Sequence, residues 1–191
     1  MPTRDHFHSV VESLRPVVDN VREEQLDGPS PCSEYDGRHL VNHLLGTSEA
    51  MRRIGAHEDP DPDDPWGTGT EHFSDRWRSD LAERLSGLAT AWSSERAWEG
   101  TMPGTEMPRR MLGEMAFVEV MLHGWDLARA TDQSVDYADT AVAAAAEVMG
   151  QIGEMGREQG AFGMQVEVSE HASAFDRVLS EAGRDPDWSA G

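Results

Sequence analysis

The sequence contains no lysine: all 16 of its basic residues are arginine, set against 36 acids, for a formal charge of −20. That balance excludes nucleic acid as a partner, because phosphate binding needs a basic surface that releases counterions. Anionic membranes are excluded by the same repulsion. Cysteine is nearly absent as well. Cys32 is the single one, so no disulfide forms within the chain and no cysteine-rich metal knuckle can be built. Any metal has to be held by histidines and carboxylates. Long apolar runs are missing too, none approaching the roughly 18–20 residues needed to span a bilayer, and the opening "MPTRDHFHSV" has no apolar leader core. The expected location is the cytoplasm. The arginine-only usage points to a GC-rich genome and the acid excess to that background or to a salty habitat, and neither bears on function.

What is present argues for a folded chain. The 191 residues are 38% hydrophobic with six Trp and ten Met, enough for one core, while a mean hydropathy of −0.59 describes a very polar exterior. One domain covering 1–191 is expected, its bundle over about 3–155 and a C-terminal appendage over about 160–191. Between Thr3 and Glu24, Phe7, Val10, Val11, Leu14, Val17, Val18 and Val21 recur at three- and four-residue steps, which predicts an amphipathic helix with Pro16 as an interruption or kink. "DGPSPCSEYDG" is built of turn residues, after which Ser33 or Asp36 can cap a second helix over about 37–56. Residues 57–71, "HEDPDPDDPWGTGTE", form the clearest loop.

Phe73, Trp77, Leu81, Leu85, Leu88 and Trp92 step through a third helix. A fourth is expected over about 108–131 with Pro108 in its first turn, and a fifth from about Asp139. From Gly160 the sequence reads as a short extended piece, a short helix and a tail, "GRDPDW", to which no chemistry is assigned. The fold class is all-α, a helix bundle.

Inside the fourth helix, "FVEVMLHGWDLARAT" is apolar except for Glu119, His123 and Asp126, which share one stripe at steps of four and three. Burying a carboxylate without a partner costs several kcal/mol, about 3 or more, so a partner is implied. The pair Glu119 and His123 admits an internal ion pair or a metal. Spacing alone does not decide, because eight histidines and 36 acids over 191 positions yield ~1.5 such pairs by chance. The chain has two; Glu167 and His171 form the second, in a stretch of poor helical pattern, and read as the chance one. A further ligand would come from a facing helix. "RHLVNHLLG" offers His39 and His43, of which His43 lies among Leu40, Val41, Leu44 and Leu45, whereas His39 falls in the first turn.

"PCSEYDGRHLVNHLLG", "VEVMLHGWDLARAT" and "FGMQVEVSEHASAFDRVLSEAGRDPDW" together resemble the DinB-like metal-binding family, in its actinobacterial branch related to the N-terminal domain of mycothiol-dependent maleylpyruvate isomerase. The resemblance implies a DinB-like four-helix bundle with a long crossover after the second helix, plus an extra C-terminal helix and short tail. It implies His43, Glu119 and His123 as metal ligands, with Asp126 supporting them from behind or paired with an arginine. His39 has no counterpart in the pattern. Two imidazoles and a carboxylate suit Zn²⁺ at about 2.0–2.2 Å with a fourth position open, and Ni²⁺ or Fe²⁺ would accept the same set. Mycothiol is implied as a thiol cosubstrate, and the function as a mycothiol-dependent transferase or isomerase acting on a small electrophile. The isomerase's second domain, with its arginine, is expected to be missing, because the chain ends soon after the bundle.

Two other readings stay open here: a non-catalytic metal-binding or sensing bundle closed by His39 as fourth ligand, and a metal-dependent hydrolase. Cys32 reads as a small buried hydrophobe or a reactive thiol. Trp125 and the third-helix tryptophans read as core or pocket wall, and Gly124 as a point of close helix approach. Association into a homodimer through helix faces is left open.

Overall fold

The computed structural model describes residues 3–190. Met1, Pro2 and Gly191 lie outside the described residues, so the ends of the expected 1–191 span are not covered. After a 3-10 turn over Thr3–His6, α1 runs Phe7–Asn20, α2 Gly37–Gly55, α3 Trp77–Trp92, α4 Arg109–Ala130, α5 Asp139–Glu158 and α6 Ala174–Glu181. The first four form the bundle: α1 and α2 each pack against both α3 and α4, α5 lies on α4, and α6 lies on α5. Among the described residues there is no strand, only isolated bridges pairing Pro29 with Asp36 and Thr101 with Pro108. The extended piece expected after Gly160 is irregular backbone.

Each helix follows from its pattern, with boundary corrections. The apolar steps of α1 are buried as expected, but the helix starts at Phe7 and stops at Asn20, where Val21 turns extended. Pro16 stays inside it without breaking it, because Glu12 and Pro16 both face solvent and the carbonyl that loses its partner is free to take water. Asp36, rather than Ser33, caps α2 by accepting from the His39 N–H at 2.9 Å. The crossover runs on to Arg76, so α3 begins four residues later than Phe73. Asn42 on α2 explains the delay: its Oδ1 accepts from the backbone N–H groups of both His72 and Phe73, pinning this stretch in a non-helical course.

The crossover is docked rather than loose. Gly46 and Gly67 lie backbone to backbone, and a Cβ built on Gly46 would stand 1.8 Å from the Gly67 carbonyl oxygen. At the other end of the bundle Phe7, Trp92, Trp98 and Phe117 form an aromatic cluster, with the Trp92 indole donating to the Met51 carbonyl at 2.9 Å. Trp77, Trp92 and Trp125 are core residues.

α4 is the element that positions the site. It touches α1, α2 and α5, so it is buried on nearly every side and shows no single apolar face. Gly124 lets Leu14 of α1 and the Tyr137 hydroxyl approach closely; a Cβ there would meet Leu14 at 2.3 Å. This confirms close approach, with α1 and the α4–α5 connection as the elements admitted.

Candidate metal centre

Three of the residues singled out from sequence converge. His43 on α2 and Glu119 and His123 on α4 place one ligand atom each within 4.8 Å of one another. Glu119 Oε1 lies 2.5 Å from His43 Nε2 and 3.4 Å from His123 Nε2. The helical reason is simple: 119 and 123 are one turn apart on α4, and α2 packs directly across from them. Burial alone would raise the Glu119 carboxyl, but the charge of His123, the hydrogen bond and charge of His43 and the charge of Arg184 outweigh it and hold the group down to about 2. A carboxylate facing two imidazole nitrogens is a donor set that could hold a cation. A tetrahedral ion with bonds of about 2.0–2.2 Å spaces its donors roughly 3.3–3.6 Å apart. The Glu119–His123 contact already has that spacing, and the His43 contact would widen by about an ångström.

Asp126 is fully buried and bonded on two sides. Its Oδ2 lies 2.9 Å from His123 Nδ1, and its two oxygens meet Arg184 at 3.0 and 3.4 Å. A carboxylate only accepts, so His123 carries its proton on Nδ1 and turns Nε2 toward Glu119. Arg184 is the residue that sequence reading missed, since the "GRDPDW" tail carries no pattern pointing inward. It is set in place by the end of α6: Gly183 takes a positive φ of 76°, backs onto Gly163, and directs the next side chain across the chain to α4. Burial alone would lower Arg184, but Asp126 more than compensates and raises it, so it is a fixed cation.

The segment after α5 folds back and brings an arginine of its own, Arg184, to the wall of the site.

The turn before α2 completes the wall. Ser30 donates to the carbonyls of Cys32 and Tyr35 at 3.0 and 2.7 Å, knitting "SPCSEYD" into a fixed loop. Tyr35 stacks on the His43 ring at 4.8 Å and places its hydroxyl 3.2 Å from His43 Nδ1. Cys32 is half-buried, burial pushes its thiol up, and it forms a second close set with His123 and Asp126. Arg184 already neutralises Asp126 in that second set, so the uncompensated donors are those around Glu119.

These walls enclose a cavity of about 340 Å³, into which His43, Glu119, His123, Cys32, Tyr35 and Arg184 all open. His39 is absent from it; the side chain is exposed and bonded to Asp36. Glu167 and His171 are also exposed on the surface and bring no ligand set together. Among the described residues no helix is long and apolar enough to cross a membrane.

Residues 7–128 match the family described as the mycothiol maleylpyruvate isomerase N-terminal domain. Two uncharacterized proteins of Mycobacterium tuberculosis, one from each of two strains, are 30% identical over 125 residues, a span that covers 65% of this chain and 65% of each relative. Among solved structures, the crystal structure of the mycothiol-dependent maleylpyruvate isomerase aligns with a TM-score of 0.64 at 17% identity, covering 98% of this chain and 91% of that one. A histidine-to-alanine mutant of that enzyme aligns with a TM-score of 0.65 over the same shares. At this identity the likeness is one of fold, and it extends past the bundle into the C-terminal segment.

Proposed function

Because the chain belongs to the mycothiol maleylpyruvate isomerase N-terminal domain family, we propose that it is a divalent-metal-binding protein whose His43, Glu119 and His123 hold the ion, and that it acts on a small electrophile with a low-molecular-weight thiol such as mycothiol. The observation that carries this reading is the convergence of two Nε2 atoms on one ionised carboxylate at the floor of a 340 Å³ cavity. Zn²⁺ is the ion we assign, since two imidazoles and a carboxylate satisfy it with a position to spare.

His43, Glu119 and His123 would hold the ion, and the chemistry it would supply there is the lowering of a thiol's pKa from its usual 8.5 or so toward neutrality. The protein's own residues supply the rest. Asp126 fixes the His123 tautomer, and Arg184 holds Asp126 in place while contributing positive charge to the cavity. The cavity of about 340 Å³ admits a molecule of moderate size. With Arg184 as part of the wall, we treat residues 1–191 as one working domain, located in the cytoplasm, where small thiols stay reduced. Isomerisation or thiol transfer are the reaction classes this wall accommodates. The exposed position of His39 gives no support to a four-ligand storage or sensing site, and among the described residues the carboxylates lining the cavity are Glu119 and the exposed Glu34, which leaves no buried carboxylate as general base for a hydrolase.

The test is elemental analysis of protein purified without chelator, alongside His43→Ala. About one ion per chain in the wild type and a large loss in the variant are expected, followed by a thermal shift with mycothiol in the loaded protein only. Bound ligand stabilises by RT ln(1 + [L]/Kd), so mycothiol at 100 Kd adds about 2.7 kcal/mol. A metal-free wild type, or equal metal content in His43→Ala, rejects the proposal.

A further inference from the structure

We infer that Phe162 is a specificity-determining residue, a fixed aromatic platform that receives a flat, apolar ring carried by the electrophile. This deepens the reading above and rests on it for the cavity being the place of reaction. The cavity is walled largely by polar and charged groups, among them Glu34, Glu119, His123 and Arg184, and its two large aromatic side chains are Tyr35 and Phe162. Tyr35 is already engaged, stacked on His43 at 4.8 Å and edge-on to His123 at 6.0 Å. Phe162 is half-buried and stands apart from those rings, on the segment that joins α5 to α6.

That segment is tied down on both sides of the ring. One ring edge lies flush against α5 at Gly156, where a Cβ would stand 2.3 Å from Cδ2 and 2.6 Å from Cε2. The Gly156 carbonyl accepts from the N–H groups of Ala161 at 2.8 Å and Phe162 at 3.3 Å, a reversal that Gly160 permits with its φ of 76°. Beyond the ring Gly163 rests on Gly183, whose own Cβ would meet the Gly163 Cα at 2.6 Å. A scattered apolar side chain on a surface needs no explanation. One that the backbone holds from two sides, with the rest of its ring open to a polar cavity, is preorganised for contact with a ligand.

The chemistry of the platform selects its occupant. Beyond the burial of carbon, a phenyl ring favours a second π system approaching offset or edge-on, with centroids ~4.5–7 Å apart. A cavity of about 340 Å³ has room for a six-membered ring beside a thiol. Of the two reactants, the thiol belongs at the triad on α2 and α4, whereas Phe162 stands next to the Gly183 turn that carries Arg184. The platform therefore serves the electrophile, and an aromatic ring conjugated to a carbonyl or an activated double bond is the class it fits.

The test is a ligand-observed NMR titration of two unreactive ketones on the zinc-loaded protein. Phe162→Leu keeps apolar bulk on Gly156 and loses the π face, and acetophenone is expected to bind it about fivefold more weakly than wild type. Cyclohexyl methyl ketone, similar in size but without the aromatic ring, is expected to change by less than about twofold, and Phe162→Tyr to hold both ketones within about twofold of wild type. Equal weakening of the two ketones in Phe162→Leu, or of neither, overturns the inference, as does acetophenone binding lost in Phe162→Tyr or absent from the wild type. Failure of the pattern with zinc bound overturns the inference alone. The same pattern in a protein that takes up no zinc keeps the platform and overturns the metal reading.

Discussion

Replacing Arg184 by methionine removes a buried cation and leaves its partner in place. Asp126 is 0% exposed and receives Arg184 at 3.0 Å on one oxygen and 3.4 Å on the other, the second contact being long enough to contribute little. Breaking a buried pair from one side costs about 3–5 kcal/mol, most of it the uncompensated charge left behind. Because Asp126 Oδ2 keeps the His123 N–H at 2.9 Å, the low end applies, ~3 kcal/mol. For a chain of this size that is a fall in Tm of about 6–12 °C. In an Asp126→Asn background the charge is gone, and the same arginine substitution is expected to cost no more than about 1 kcal/mol, a coupling of roughly 2 kcal/mol or greater. Urea and thermal melts of the wild type, both single variants and the double variant make the cycle. An equal cost of Arg184→Met in both backgrounds would refute the pairing and reduce Arg184 to a packing residue.

Three further outcomes follow from the geometry. Gly46→Ala should destabilise by about 1–3 kcal/mol or more in urea melts in spite of alanine's better helix propensity, because its Cβ would meet the Gly67 carbonyl at 1.8 Å. Asp36→Ala should cost about 1 kcal/mol through the loss of the α2 cap, measured in the same way. Glu49 accepts hydrogen bonds from Arg52 and Arg53 that hold its carboxyl below the usual value of 4.5. A depressed carboxyl stabilises above its unfolded pKa and loses that contribution as pH falls through the folded one. Glu49→Gln should therefore lower Tm by a few degrees at pH 7, with the gap closing below about pH 4.5; a gap independent of pH argues against the ion pairs.

The parts of this molecule that were legible in the sequence are those governed by short-range periodicity. The buried sides of α1, α2 and α3 appear as three- and four-residue steps, and the same spacing brings Glu119 and His123 onto one stripe. His43 was separable from His39 because only the former has apolar neighbours on both sides. What periodicity misses is long-range polar pairing. Arg184 stands 58 residues from Asp126, in a tail without pattern, so its inward course depends on the Gly183 turn and on contact with Gly163. Tyr35 immediately precedes the Asp36 cap, and turn chemistry says nothing of where its ring points. The late start of α3 has the same origin, since Asn42, some thirty residues earlier, accepts from the backbone of His72 and Phe73 and ties that stretch to α2. α4 defeats the amphipathic criterion from the opposite direction: with neighbours all round, it has no polar face to contrast with its buried one.

Because Arg184 joins Asp126 across 58 positions of chain, the site is assembled in a fixed order during synthesis. Translation proceeds at about 5–20 residues per second, so α4 emerges roughly 3–12 s ahead of the arginine that neutralises its buried acid. In that interval α2 and α4 carry their converging imidazoles and carboxylate without the wall that later covers them. If the site takes up the ion proposed above, docking of the last thirty residues would set which ion is held, and loading would be a matter of timing and local supply as much as of affinity.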